Sequence, residues 1–188
     1  KIERIILACS SSTYGDSKEM PKVEERIGKP LSPYAVTKFA VEVFADVFYK
    51  TYGLKYIGLR YFNVFGPRQN PNNPYAAVVP IFCKAFLSGN SPVINGDGET
   101  SRDFTYVANA VQANDLALFT ENQAAINEVY NVACGDQVTL NQMVSFLNEI
   151  SGLKIETQYG PERSGDIKHS KADIGKIQLY LGYQPLVR

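Results

Sequence analysis

Tyr34 and Lys38 stand four residues apart at the head of a stretch with helical apolar spacing, so on a helix their phenol and ammonium share one face. A phenol is a poor base near neutral pH, and a neighbouring ammonium favours the phenolate. Tyr34 held in that way could take a proton from an alcohol. A second set of hydroxyls, Ser10-Ser11-Ser12-Thr13, follows directly on the apolar run Ile5-Ile6-Leu7-Ala8-Cys9. Such a run, ended abruptly by small polar residues, reads as a buried strand of the parallel kind. Ligands of open α/β sheets bind beyond the carboxyl ends of the strands, so serines there and a Tyr/Lys pair converging on one crevice would handle an alcohol. Each signal also has a plain reading, since Tyr-x-x-x-Lys arises by chance on helices and serines make good turns.

The elements that must position these groups follow from local signals. Ser32 suits an N-cap and Pro33 the first helical position, with Val36, Phe39, Ala40, Val43 and Val47 at helical spacing until Gly53 stops the helix. Residues 56–61 read as the next strand, which gives strand, helix, strand in the pattern of a right-handed parallel crossover, with Asn63 just past its end. Between the Ser cluster and the helix, the charged, Pro-bounded residues 19–31 read as a surface loop. Residues 66–75, rich in Pro and Asn, form an irregular loop, and 76–87 a helix ending before Gly89, where the chain changes lobe. Residues 92–95 and 102–107 around Gly96-Asp97-Gly98-Glu99 suggest a short hairpin, then a helix through Leu118. A strand over 129–133 precedes the capping box Thr139-Leu140-Asn141-Gln142 and a helix ending near Gly152. One further strand, 155–159, and a helix, 173–181, close the pattern.

The bulk numbers narrow the class of partner. The 188 residues are 45% hydrophobic, enough for one domain with a real core. Lys plus Arg and Asp plus Glu are both 19, so no global basic field points to nucleic acid or an anionic membrane surface. Cys9, Cys83 and Cys134 are widely spaced and His169 is the single histidine, so reduced thiols and no structural metal are expected. No apolar run approaches the roughly 20 residues that span a bilayer, and a cytoplasmic setting is the default.

Ser10-Ser11-Ser12-Thr13-Tyr14-Gly15-Asp16, Ser32-Pro33-Tyr34-x-x-x-Lys38 and Arg60-Tyr61-Phe62-Asn63-Val64-Phe65-Gly66-Pro67-Arg68 together resemble the extended short-chain dehydrogenase/reductase family, and within it the nucleotide-sugar 4-epimerases match best. The resemblance extends over essentially the whole chain. It implies an α/β fold: the C-terminal part of a Rossmann-like parallel sheet plus a small mixed α/β substrate-binding lobe, with the active site in the cleft between them. Residues 1–75 would belong to a partial NAD-binding domain and 76–188 mainly to the nucleotide-sugar lobe, with segments returning to the first. No Gly-x-Gly-x-x-Gly occurs, although a dinucleotide-binding half normally opens on such a loop. The chain is therefore expected to be the C-terminal portion of a longer enzyme and, by itself, to turn over nothing.

The family's chemistry transfers residue by residue. It implies NAD as cofactor, a UDP-sugar as substrate, a 4-keto intermediate and a homodimer paired through the helix that bears Phe44, Phe48 and Tyr49. Tyr34 would be the base at the 4-hydroxyl, Lys38 would favour its phenolate and hold the nicotinamide ribose, and Ser10 and Ser11 would bond the reacting oxygen. Tyr61 and Val64 match the strand end beside nicotinamide. Asn63 and Gln69 match contacts to the nucleotide sugar, Ala77 and Val78 backbone contacts to the uracil region, and Asn95, Arg102, Arg163 and Asp166 ligands of ribose and diphosphate; guanidinium forks suit a diphosphate. Ser170 falls where similar enzymes place a residue against the C2 substituent of the sugar, and its small size favours the N-acetylated pair. A 4,6-dehydratase would need a carboxylic acid where Ser11-Ser12-Thr13 stands, and uronate 4-epimerases typically depart from Tyr61-Phe62-Asn63. A nucleotide-sugar-binding fragment without redox activity is the non-enzymatic reading.

Overall fold

The computed structural model describes residues 2–72, 77–162 and 168–188, in two compact units: Lys1–Val64 with Asp103–Asp136 and Lys171–Arg188, and Phe65–Arg102 with Gln137–Ser170. The first unit holds β1 (Arg4–Ser10), α1 (Pro33–Tyr52) and β2 (Lys55–Tyr61), and β3 (Val64–Phe65) lies at its boundary. In the second are α2 (Val78–Leu87), β4 (Val93–Asn95) and β5 (Ser101–Arg102). The chain then returns to the first unit through β6 (Thr105–Tyr106), α3 (Val107–Phe119) and β7 (Glu128–Val132), re-enters the second with β8 (Val138–Thr139), α4 (Leu140–Ser151) and β9 (Gln158–Gly160), and ends with α5 (Gly175–Leu181) in the first.

Three parallel strands in the order β1-β2-β7 form the sheet of the first unit. Residues 56–60 of β2 are buried in an unbroken run, as a central parallel strand requires, whereas Ile5, Ile6 and Leu7 of β1 are only half-buried because, among the described residues, β1 has a strand neighbour on one side. Ile57, Leu59, Tyr130 and Val132 pack with Ala113 and Ala117 of α3 and Ile177 and Leu181 of α5 in one core. Small alanines let α3 lie close against the strands. Arg4 donates to the carbonyls of Ala117 (2.9 Å) and Thr120 (3.0 Å), satisfying orphan acceptors at the end of α3.

Helix α1 starts as its residues dictate: the Ser32 hydroxyl accepts from the Ala35 amide (3.1 Å), Pro33 opens the first turn, and Gly53 closes the helix at φ 70°. Its covered face differs from the expected stripe. Val36, Val43 and Val47 are exposed, and the buried positions are Ala35, Glu42 and Ala45, because Glu42 finds a cationic partner on the sheet.

Residues 19–31 also depart from the surface-loop expectation, since Lys22 and Glu24 are buried. The cause is the edge of β7, where the amide of Asn131 has no strand to pair with among the described residues and donates instead to the Glu24 carboxylate at 2.8 Å. Lys22 meets the segment before α5 through its own backbone, its amide donating to Lys171 and its carbonyl accepting from Asp173.

In the second unit, β4 pairs with β9 in parallel and β5 with β8 antiparallel. The hairpin expected between residues 92–95 and 102–107 does not form. Its turn is closed elsewhere: the Asp97 carboxylate accepts from the Glu99 amide, and Asn141 at the start of α4 donates to the carbonyls of Gly98 and Asp97. Gly98, at φ 80°, lies so near the Asn141 side chain that a Cβ would collide with it. Thr139 and Gln142 make the expected capping box on α4. Among the described residues no helix is long and apolar enough to cross a membrane.

Candidate functional site

The carboxyl end of β1 and the first two turns of α1 carry the candidate chemistry of the first unit. Lys38 Nζ donates to the carbonyl of Ala8 (2.9 Å) and lies 5.7 Å from the centroid of the Tyr34 ring, so the helical spacing does bring phenol and ammonium together. Tyr34 itself is 56% exposed, open to a ligand. Two residues beyond Ala8 the chain turns sharply into a 3-10 turn, Ser11–Tyr14, capped by Ser10. The Ser10 Oγ accepts from the Ser12 amide (3.2 Å) and from the Ser12 hydroxyl (2.9 Å), which leaves its own proton for an outward acceptor. Ser12 was not among the candidate residues, yet its hydroxyl is what orients Ser10; the triple serine was the only signal of it.

The floor of the turn is buried and polar. Tyr14 is 1% exposed, its hydroxyl donates to Asn131 Oδ1 (2.6 Å), and its ring meets Phe62 at a tilt of 45° and lies under the Arg60 guanidinium, 4.9 Å away. Burial pushes the Tyr14 phenol up to about 12 despite the opposing charge of Arg60, so this tyrosine keeps its proton. Burial and then the Glu42 carboxylate likewise push the Cys9 thiol up to about 12, which removes it as a nucleophile.

At the end of β2, Tyr61 is half-buried and donates to Asn114 Oδ1 (3.0 Å). Burial raises its phenol, with the Asn114 bond opposing. Asn63 takes a positive φ of 36°, a conformation asparagine tolerates better than most residues, and its side-chain amide donates to the Asp103 carbonyl (2.9 Å). That leaves its side-chain carbonyl for a ligand. Val64 begins β3 and is half-buried. Asp103, which sequence reasoning passed over, is wholly buried and accepts from the amides of Cys134 (2.9 Å), Gly135 (3.1 Å) and Ala172 (3.2 Å).

The remaining candidates belong to the second unit. Gln69 is half-buried, and its amide donates to Gly66. Ala77 is the N-cap of α2 and Val78 its first residue, with no side chain capping the helix. Asn95 ends β4 opposite Gly160 of β9. Arg102 Nη1 donates to the carbonyls of Ser101 (2.9 Å) and Lys168 (3.2 Å), and the Ser170 amide donates to Ser101 (3.1 Å), so Arg102 and Ser170 come together around β5. His169 Nδ1 bonds the buried hydroxyl of Ser101 at 2.8 Å, which gives the histidine a structural partner. Arg163 and Asp166 lie outside the described residues. No group of three or more metal-ligating side chains gathers among the described residues.

Residues 1–133 match the model of the NAD dependent epimerase/dehydratase family. The fold is similar to the UDP-N-acetylglucosamine 4-epimerase from Methanobrevibacter ruminantium M1, solved with UDP-N-acetylmuramic acid, at 44% identity and TM-score 0.92 over 97% of this chain and 57% of that one. It is similar to the UDP-glucose 4-epimerase of Thermotoga maritima, solved with UDP-glucose, at 39% identity and TM-score 0.92 over 99% of this chain and 59% of the other. The UDP-glucuronic acid 4-epimerase from Bacillus cereus, in complex with UDP-glucuronic acid and NAD, is 34% identical with TM-score 0.91 over 100% of this chain and 58% of that one. The chain spans about half the length of the curated relatives it matches.

Proposed function

The chain belongs to the NAD dependent epimerase/dehydratase family, and from that premise we propose that the whole protein interconverts the C4 epimers of a UDP-sugar, with NAD as its cofactor. The observation that carries this reading is the bond from Lys38 Nζ to Ala8, which brings the face of α1 bearing Tyr34 beside the end of β1, two residues before Ser10.

The residues present fit a nicotinamide ribose. An ammonium has three donors, and Ala8 takes one of those on Lys38, leaving others for vicinal hydroxyls; Tyr61 and Val64 stand at the adjoining strand end. When bound, NAD supplies a reversible hydride acceptor for C4 of the sugar. Tyr34 takes the proton of the 4-hydroxyl as the 4-keto sugar forms and returns one when it is reduced on the other face. Ser10 and Ser11 hold the reacting oxygen, Ser10 with the one proton its contacts to Ser12 leave free. Asn63, Gln69, Ala77, Val78, Asn95 and Arg102, with Arg163 and Asp166, hold the nucleotide and sugar. Incubating the whole protein with NAD and UDP-N-acetylglucosamine, UDP-glucose or UDP-glucuronic acid, followed by proton NMR, should show the C4 epimer of one of them accumulate to equilibrium; no conversion of any of the three would reject the reading.

Ser170 sets the preference between UDP-N-acetylglucosamine and UDP-glucose. A small side chain leaves room for an N-acetyl group at C2, whereas a rigid tyrosine ring would fill it, which should exceed the roughly 10- to 200-fold that one methylene controls. Ser170→Tyr is therefore expected to lower kcat/KM for UDP-N-acetylglucosamine by more than about 200-fold while sparing UDP-glucose. A native preference for UDP-glucose, or an unimpaired variant, would refute the gate.

The whole protein is also proposed to be a homodimer through α1, whose Val36, Val43, Phe44, Val47 and Phe48 make a continuous exposed apolar face. Light scattering should return the mass of two copies, and a single-copy mass would reject this face as the dimer contact.

A further inference from the structure

Arg60, on the central strand β2, is 4% exposed, and each of its guanidinium nitrogens donates to a different acceptor atom. Nε and one terminal nitrogen make a fork on the Glu42 carboxylate, at 2.9 and 2.7 Å, and the other terminal nitrogen donates to the Glu24 carbonyl at 2.8 Å. The same guanidinium stacks on Tyr14, the last residue of the serine turn. Glu42 lies eight residues after Tyr34 and four after Lys38, so all three share one stripe of α1. One buried cation thus joins the helix that carries the phenol and ammonium to the turn that carries the serines.

We propose that Arg60 is a positioning residue of the reaction, setting where α1 and the serine turn stand relative to each other; this rests on the epimerase reading of the site. Stability alone does not account for the arrangement, because a buried ion pair can commonly be replaced by apolar side chains of similar volume without loss. What apolar side chains lack is the fixed distance and direction of a bidentate fork. Tyr34 stands roughly 12 Å along the helix from Glu42. A tilt of about 5° pivoting there moves Tyr34 by about 1 Å, and a misplacement of that size can cost about 100-fold in rate. The Lys38 bond to Ala8 does not prevent such a tilt, since it is one contact on a flexible stem.

The test is Glu42→Leu with Arg60→Met in the whole protein. The double variant should fold with a cooperative thermal transition, lose about 100-fold in kcat, and keep KM for the UDP-sugar within about threefold. Its amide exchange should rise about tenfold at residues 10–15 and 34–42 and not elsewhere in the sheet. Unchanged kcat, unchanged exchange at those residues, or a rise throughout the sheet would overturn the proposal. If the parent protein converts no UDP-sugar, the epimerase reading falls and the exchange pattern alone decides the positioning role. If the double variant does not fold, Glu42→Gln, which keeps the shape and one acceptor, should show the same exchange pattern with kcat down about tenfold, and native behaviour there would equally overturn it.

Discussion

Tyr34→Phe in the whole protein is expected to lower kcat for the UDP-sugar by two to four orders of magnitude while KM changes less than about threefold, the signature of losing a proton acceptor that matters only in the transition state. The substitution removes one oxygen from a side chain that is more than half exposed, and it leaves the Ser32 cap, the Pro33 start and the Lys38 bond to Ala8 untouched. No structural route to a large effect remains. Equal losses in binding and turnover, or a loss below tenfold, would assign the phenol to substrate contact or packing and would move the search for the base to Ser10. Lys38→Met in parallel separates the charge of the ammonium from the proton transfer itself, because the Tyr34 hydroxyl survives it. Its turnover should fall less than that of Tyr34→Phe if the phenol is the base.

The parts of this architecture that were legible in the sequence are those whose signals are local. Ser32, Pro33 and Gly53 delimit α1 because a cap hydroxyl, a fixed φ and a left-handed stop act on their immediate neighbours. Thr139 and Gln142 mark α4 in the same way, and the Tyr34/Lys38 spacing translates directly into a shared face. The misread parts depend on partners far along the chain. Gly96-Asp97-Gly98-Glu99 has the composition of a hairpin turn, but β4 and β5 find β9 and β8 instead, and nothing within the turn encodes the capture of its carbonyls by Asn141. Charges in residues 19–31 suggested a surface loop because Lys22 and Glu24 acquire their burial only against the edge of β7 that no described strand pairs. Two anomalies were visible without being read: an arginine near the end of the apolar strand Tyr56-Ile57-Gly58-Leu59-Arg60-Tyr61, and a glutamate on the same stripe as Tyr34. Each makes sense only as the partner of the other.

Asp103→Leu is expected to destabilise the protein by about 3–5 kcal/mol at pH 7, read from urea unfolding, because it strips the acceptor from three buried amides at about 1–3 kcal/mol each, partly offset by no longer burying a charge. Those amides belong to Cys134 and Gly135, just past β7, and to Ala172, on the approach to α5, while the Asp103 carbonyl holds Asn63. One carboxylate thus pins three segments at the carboxyl end of the sheet. Its titration gives a second, independent signature. Burial, against the pull of the three amides, pushes the Asp103 carboxyl up from 3.8 to about 6. A carboxyl whose folded value lies above its unfolded value binds its proton more tightly when folded, so its contribution to stability is complete below about pH 4 and is lost as pH rises through about 6. The full difference of about two pKa units corresponds to roughly 3 kcal/mol. Asp103→Asn keeps one acceptor oxygen and cannot titrate, so subtracting its stability curve from that of the parent between pH 4 and 7.5 isolates this group. The difference should fall with rising pH by about 1–3 kcal/mol, with its midpoint between 4 and 6. Parallel curves for the two proteins would show that the amides offset burial, and a difference that grows with pH would show that they outweigh it; either would refute the raised value.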